Sequence, residues 1–278
     1  MYRYLHITNF FSLNFLNKTF LFLCIFLFQF NIFANPLRPV QKTKEIERNE
    51  DIEIKKNPPE YVKWPKSNRY QWSLAFSNSR IDGFQIQNNT KGTLVSETNM
   101  AFDLQYFNWL KTSYDFSVGL NIESIKMRDE ASLVPIDNES VMALGFNVMG
   151  RWLVGDNMHI NAIIGEQNKI FYSPNSGLTG YEIQKPFIPF FGGGASILFL
   201  EVKRIKIGVE GLIYFYSGAS AGSYSISGGQ GYDIRLFSLW PRGSEQIIPG
   251  FFYHSRIQNT DIIRTQEQKI GFDIKYQY

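Results

Sequence analysis

One cysteine, three histidines and a formal net charge of +3 in 278 residues close off several kinds of chemistry. A lone Cys24 excludes an intrachain disulfide framework and any Cys-rich zinc site. Three His leave little for metal chemistry, and neither a metal nor another cofactor is expected. The charge is too weak to mark a basic face, so nucleic acid is not an expected partner. Long apolar runs are scarce as well. A mean hydropathy of −0.19 is too polar for a bundle of membrane helices, each needing about 20 apolar residues in a row. What the chain has in quantity is aromatic rings: 25 Phe, 15 Tyr and 5 Trp, 16% of all residues. That composition is wrong for a disordered chain.

The one long apolar run is residues 19–33, TFLFLCIFLFQFNIF, with Arg3 and Lys18 before it and Ala34 after it. A basic segment, a short apolar core and a small residue describe a secretory signal peptide, expected to span residues 1–34. The alternative, a retained anchor helix, is disfavoured by the run's length and by Gln29 and Asn31. Leu21-Phe22-Leu23 does not resemble a lipoprotein box before Cys24. Cleavage after Ala34 would leave no cysteine, which suits an oxidising compartment.

Residues 35–67 change character. KTKEIERNEDIEIKK mixes both charge signs, and Pro36, Pro39, Pro58, Pro59 and Pro65 punctuate the stretch. It cannot bury enough apolar surface to offset its ordering entropy, so a disordered periplasmic segment is expected. The competing reading is a short helix over about 43–56 that contacts a partner or plugs the following domain.

From there to the end the pattern has period two, the mark of a strand with unlike faces. Tyr70, Trp72, Leu74 and Phe76 alternate with Gln71, Ser73, Ala75 and Ser77. Met100, Phe102, Leu104 and Tyr106 form a second set, and Tyr114, Phe116, Val118, Leu120 and Ile122 a third. Seven further sets follow, the ninth ambiguous in phase around Ile248 and Phe252, the tenth being Ile270, Phe272, Ile274, Tyr276 and Tyr278. Between them long polar gaps alternate with short ones. Near residues 108–111, 154–157, 201–204 and 241–245 the gap is tight; near 80–96, 127–138, 168–184, 217–229 and 257–265 it is longer. Transmembrane β-barrels have that layout, with long outer loops and short periplasmic turns.

A soluble β-sandwich also alternates. Here the second face is Ser, Gly, Asn, Gln and Asp with few Lys, whereas soluble edge strands commonly carry protective Lys. Aromatics such as Tyr70, Trp72, Tyr106, Trp152, Tyr232 and Trp240 sit toward strand ends, as in the interfacial girdles of a barrel in lipid. The expected fold is therefore all-β: a transmembrane antiparallel up-and-down barrel over residues 68–278 with about ten strands, eight being the alternative count.

The C-terminal GFDIKYQY resembles the terminal strand of bacterial outer-membrane β-barrel proteins, which ends in an aromatic residue with apolar residues at alternate positions before it. Phe272, Ile274, Tyr276 and Tyr278 carry the resemblance as an assembly signal; Phe is the commoner last residue. The resemblance implies the cell outer membrane of a Gram-negative-type bacterium. It implies outer-membrane lipids, the barrel-assembly machinery and periplasmic chaperones as partners. It implies no activity.

Catalytic patterns are sparse. Omptin-like proteases, also ten-stranded, use a carboxylate pair and a His-Asp pair, and no Asp-x-Asp or Asp-x-His occurs here. Outer-membrane lipid deacylases carry His-x-Ser; His254 and Ser255 are adjacent and so face opposite sides of a strand. His159 falls on a polar face. Gly192-Gly193-Gly194 lacks the Lys-Ser/Thr of a phosphate loop. The inward face is expected to hold Asp103, Asp115, Glu123, Arg151, Lys206, Glu210, Asp233, Arg235, Asp273 and Lys275, as a paired ionic core or as the wall of a narrow aqueous path. The functional expectation is a non-enzymatic outer-membrane barrel whose surface loops meet the environment or an unidentified extracellular ligand. The alternatives are a small porin-like channel and a lipid-active enzyme.

Overall fold

The computed structural model describes residues 69–85, 91–111, 113–130, 136–137, 140–174, 181–202, 204–221, 224–242 and 245–278. The expected signal peptide and charged segment lie outside them. Among the described residues all regular structure is strand. Ten long strands are β1 (Arg69–Gln85), β3 (Asn99–Lys111), β4 (Tyr114–Asp129), β6 (Ser140–Val154), β7 (Met158–Asn168), β10 (Phe187–Val202), β11 (Ile205–Tyr216), β13 (Tyr224–Arg242), β14 (Glu245–Thr260) and β15 (Ile263–Gln277). Five short ones are β2 (Lys91–Ser96), β5 (Ile136–Asp137), β8 (Phe171–Pro174), β9 (Tyr181–Gln184) and β12 (Ala219–Ala221).

Each long strand pairs antiparallel with its neighbours, and the first pairs with the last. β1 lies against β15 from Gln71↔Gln277 to Gln85↔Ile263, and Tyr70 and Tyr278 exchange backbone hydrogen bonds at 3.0 Å in both directions. The sheet therefore closes on itself with no free edge, as a strand in hydrocarbon requires. The expected ten-stranded barrel is borne out. Two of its ten staves are interrupted. β2 continues the path of β3 beyond a break at Glu97-Thr98, pairing with β1 and β4 there. β12 continues β11 beyond Ser217-Gly218 against β13.

The faces follow the sequence alternation. Outward residues such as Phe102, Leu120, Phe146, Ile164, Phe191 and Ile213 are exposed apolar groups, Ile164 by 63%. Their inward neighbours, including Ser73, Asp115, Ser117, Asn161 and Ser196, are buried and polar. An apolar exterior of this extent around a polar interior is the inverse of a water-soluble fold. Strands of 16–19 residues, as in β4 and β13, exceed the roughly 9–11 that cross the hydrocarbon layer, so the barrel projects beyond it.

Three connections depart from the sequence reading. The gap over 80–96 is mostly strand, because β1 runs to Gln85 and β2 starts at Lys91. The tight turn expected near 108–111 lies later, since β3 reaches Lys111. The last outer connection is not long: only Asp261-Ile262 separates β14 from β15, and the Thr260 hydroxyl accepts from the Ile263 amide at 2.8 Å to hold that turn.

Candidate functional site in the barrel lumen

All ten charged residues expected inside belong to the inward face, and two close ion pairs form among them, Asp115 with Arg151 and Asp273 with Arg235. The Arg151 guanidinium donates to Asp115, with Nε at 2.7 Å from Oδ1, on the paired positions Asp115↔Arg151 of β4 and β6. Arg235 of β13 grips Asp273 of β15 by three hydrogen bonds of 3.0–3.1 Å, reaching across β14. Its Nη2 also donates to the Ile248 carbonyl at 3.2 Å. The intervening position on β14 is Gly250, where a Cβ would stand 2.7 Å from both Arg235 Nη2 and Asp273 Oδ1. Glycine there opens the passage through which the two side chains meet. Lys275 adds a looser contact to Asp273 at 3.9 Å.

Asp103 accepts from Ser73 Oγ at 2.8 Å and from Asn121. Glu210 accepts from Ser196 Oγ at 2.8 Å, and Ser196 in turn accepts from Asn161 at 2.8 Å. Glu123 takes both its hydrogen bonds from Lys269 Nζ at 2.7 Å, bridging from β4 to β15 inside the barrel. Asp233 is held from two sides, by the Tyr214 hydroxyl at 2.8 Å and by His254 Nδ1. Lys206 shares the inward phase of Gly208 and Glu210 toward the periplasmic end of β11. Buried ions need such partners, because removing one leaves the other desolvated and bare.

Sequence reasoning missed two groups of this face, Lys269 and Arg256, whereas His254 is expected at the lumen or rim and is found lining the lumen. Lys269 lies one residue before the apolar run that marks the tenth strand. His254 and Arg256 fall where the phase of the ninth strand was ambiguous. Arg256 is 1% exposed and lies on β14 near its outer end. Its Nε donates to Glu267 at 2.9 Å, its Nη2 to the Ile170 carbonyl at 2.9 Å, and its plane sits 4.7 Å from the Phe171 ring centroid.

That contact reveals what fills the outer mouth. Toward its outer end the inward face turns from polar to apolar. Ile81, Leu94, Ile125, Met127, Val141 and Ile263 are buried there with Ile170, Tyr172 and Ile183 from the 169–186 connection. On the other side Phe171 packs among Ile188, Phe190, Leu212, Tyr214, Tyr216 and Ile226. Residues 170–172 thus run across the mouth from the β14 side to the β1–β2 side. The Tyr172 hydroxyl donates to the Gly92 carbonyl at 2.9 Å and lies against Gly83, where a Cβ would be 1.8 Å from it. β8, β9 and β5 form a small separate sheet in the same outer connections.

Below this plug lie two cavities. The upper has a volume of about 280 Å³ and is lined by, among others, Lys169, Phe190, Tyr216, Asp233, His254 and Lys269. The lower, about 80 Å³, reaches toward the periplasmic end past Arg151, His159 and Gln246. Gln105, Met149, Glu210, Arg235 and Lys275 line both and form the constriction between them. His254 presents a His–Asp pair to the upper cavity, but no hydroxyl reaches its Nε2 among the described residues.

No family model matches the chain, and no curated protein matches it. Among solved structures it is similar to an outer-membrane channel from Pseudomonas putida F1, at 8% identity and a TM-score of 0.46, covering 79% of this chain and 98% of that one. It is also similar to the outer-membrane protease OmpT from Escherichia coli, at 8% identity and a TM-score of 0.42, covering 76% and 96%. A third is the translocator domain of the autotransporter NalP from Neisseria meningitidis, at 9% identity and a TM-score of 0.39, covering 78% and 90%. Matches this distant carry nothing about activity. The closed antiparallel ring, the apolar exterior and the polar interior make the chain a β-barrel of the outer membrane.

Proposed function

We propose that this is a non-enzymatic outer-membrane barrel that is shut at rest and meets its surroundings through its outer connections and upper lumen. The observation that carries the reading is the Ile170-Phe171-Tyr172 segment lodged in the mouth, tied to β14 by Arg256 and to β2 by Gly92. A second narrowing lies beneath it, where the Arg235–Asp273 pair on the wall stands with Gln105, Met149, Glu210 and Lys275 between the two cavities. Outer-membrane lipids around the apolar belt, and the assembly machinery and chaperones that deliver barrels, are its general partners on this reading. The test is conductance of the purified protein in planar bilayers. A silent or faintly conducting barrel is the expected result; steady conductance of porin size overturns closure.

A small gated pore is the second reading. It is favoured by the two cavities in line below the plug, separated only by side chains. Replacing residues 170–184 by a short Gly-Ser link should then yield small, reproducible single-channel steps. For the lipid-active alternative, an acyl transfer needs a nucleophile within hydrogen-bond reach of the base, and His254 lacks one. Membrane lipid A should be unchanged between cells with and without the protein.

A further inference from the structure

Most charges in and around the upper cavity are paired, and Asp103 and Glu210 are held by the neutral Ser73, Asn121 and Ser196. Glu123 is satisfied by Lys269, Asp273 by Arg235, Glu267 by Arg256 and Asp233 by His254. Lys169 is different. Among the described residues its ammonium has no carboxylate within ion-pair distance, and its close neighbour is the Tyr216 ring, with Nζ 5.0 Å from the centroid. The Tyr216 hydroxyl is itself buried with no hydrogen-bond partner. His254, oriented by Asp233 through Nδ1, leaves Nε2 buried and unpartnered. All three groups line the same cavity. Ile163, Phe190 and Leu212 line the same cavity and cluster with Tyr216.

A buried hydroxyl that finds no acceptor in the protein is costly unless something else supplies one, and half-buried Lys169 brings an ammonium without a carboxylate partner to the same cavity. We propose that the upper lumen binds a small apolar monocarboxylate, its carboxylate accepting from Lys169 Nζ and Tyr216 Oη while its body lies against Ile163, Phe190 and Leu212. The choice of a monoanion follows from the surroundings. Asp233, Glu210 and Glu123 line the same space, and a doubly charged phosphate would be repelled where a single charge is matched. The choice of a small molecule follows from volume. A cavity of about 280 Å³ is roughly twice the 150 Å³ that holds benzene in an engineered protein core.

The proposal deepens the closed-lumen reading, which conductance tests separately. A barrel that conducts steadily refutes closure; a silent barrel that takes up no carboxylate refutes the site. The binding experiment uses the full barrel in detergent, equilibrated overnight with hexanoate and followed by calorimetry, with hexanamide as the uncharged twin. Hexanoate is expected to bind at least tenfold more tightly than hexanamide. Lys169→Met should weaken hexanoate by about tenfold or more and Tyr216→Phe by severalfold, hexanamide being unaffected. Should Lys169→Met fail to assemble, Lys169→Arg keeps the charge and must retain binding, and Tyr216→Phe still reports on the site. Equal affinity for acid and amide, no uptake of hexanoate, or full affinity in both Lys169→Met and Tyr216→Phe overturns the proposal. Palmitate tests whether the carboxylate belongs to a membrane fatty acid. Binding as tight as hexanoate's overturns the assignment to a small solute.

Discussion

Arg256 Nη2 donates to the Ile170 carbonyl at 2.9 Å, and so a side chain of the barrel wall holds the backbone of the segment that fills the mouth. The same guanidinium is neutralised by Glu267 and stacked on Phe171. One group thereby couples wall, charge balance and plug. Arg suits this position because its rigid planar fork reaches Glu267, Gln258 and the Ile170 carbonyl from spread nitrogens while its face stacks on Phe171, which a compact lysine ammonium cannot do.

The first prediction separates those roles. Arg256→Met alone leaves Glu267 buried and unpaired, and should cost about 3–5 kcal/mol, read as a lower temperature for loss of the compact, fast-migrating form on gels. Arg256→Met with Glu267→Gln removes the tie without a bare carboxylate. That double variant should assemble and show new, flickering conductance in bilayers. If it assembles and stays silent, the closure lies elsewhere.

The second concerns Arg235 and Asp273. Both are nearly buried, and Asp273→Asn should destabilise the barrel by about 3–5 kcal/mol, because the arginine keeps its charge in a desolvated place. An apolar double variant, Arg235→Met with Asp273→Leu, should recover much of that loss and widen the constriction. Gly250→Val should mimic Asp273→Asn, since a branched side chain there would occupy the space between the two partners. Denaturation midpoints of the four proteins check the order. A harmless Gly250→Val would show that the passage is not needed.

These partners mark how far the sequence could be read. Strand positions and faces were legible because the exterior must be apolar in lipid and the interior must hydrate or pair, so every second residue is constrained. Asp115 and Arg151 could be placed inside from alternation alone. That they face one another could not, because register depends on where each turn falls, and the β3–β4 turn sits later than its polar residues suggested. Arg235 with Asp273 was harder still, as the pair skips a strand and needs glycine at position 250. The plug was hidden for a different reason. Ile170, Phe171 and Tyr172 sit in a stretch of mixed composition, and their burial depends on the apolar inner wall supplied by Ile81, Leu94 and Met127 from distant strands. The one local signal was three large apolar residues in succession within an outer connection.

The third prediction is topological. The turns between β6 and β7 and between β11 and its predecessor β10 are short, whereas the β4–β6 and β7–β10 connections are long. Epitope tags at Asn89, Asp137, Asn175 or Gly222 should be reachable on intact cells. Tags at Lys111 or Asp156 should be hidden or should block assembly, because a tight turn cannot absorb an insertion. Surface labelling at Asp156 with none at Asn89 would invert the barrel.

The last prediction concerns the seam. Tyr278 closes the ring through its two backbone bonds to Tyr70, and its ring lies 5.8 Å from that of Tyr70 and 5.9 Å from that of Tyr276. Tyr276 in turn lies 5.5 Å from Trp72 on the first strand. These rings face outward where β1 and β15 meet, with Tyr106 4.9 Å from Tyr70 on the next strand. Aromatic contacts across strands contribute about 0.2–1 kcal/mol each, so losing one ring should leave the sheet closed. Losing two removes several contacts at once, at the pairing that joins first strand to last, and also erases the end of the expected assembly signal. Tyr278→Ser should therefore reduce the inserted, heat-modifiable form modestly, and Tyr276→Ser with Tyr278→Ser should reduce it severely. Conservative Tyr276→Phe with Tyr278→Phe should restore insertion, because the rings rather than the hydroxyls make these contacts. Normal insertion of the double Ser variant would remove the aromatic seam from the list of what this barrel needs in order to close.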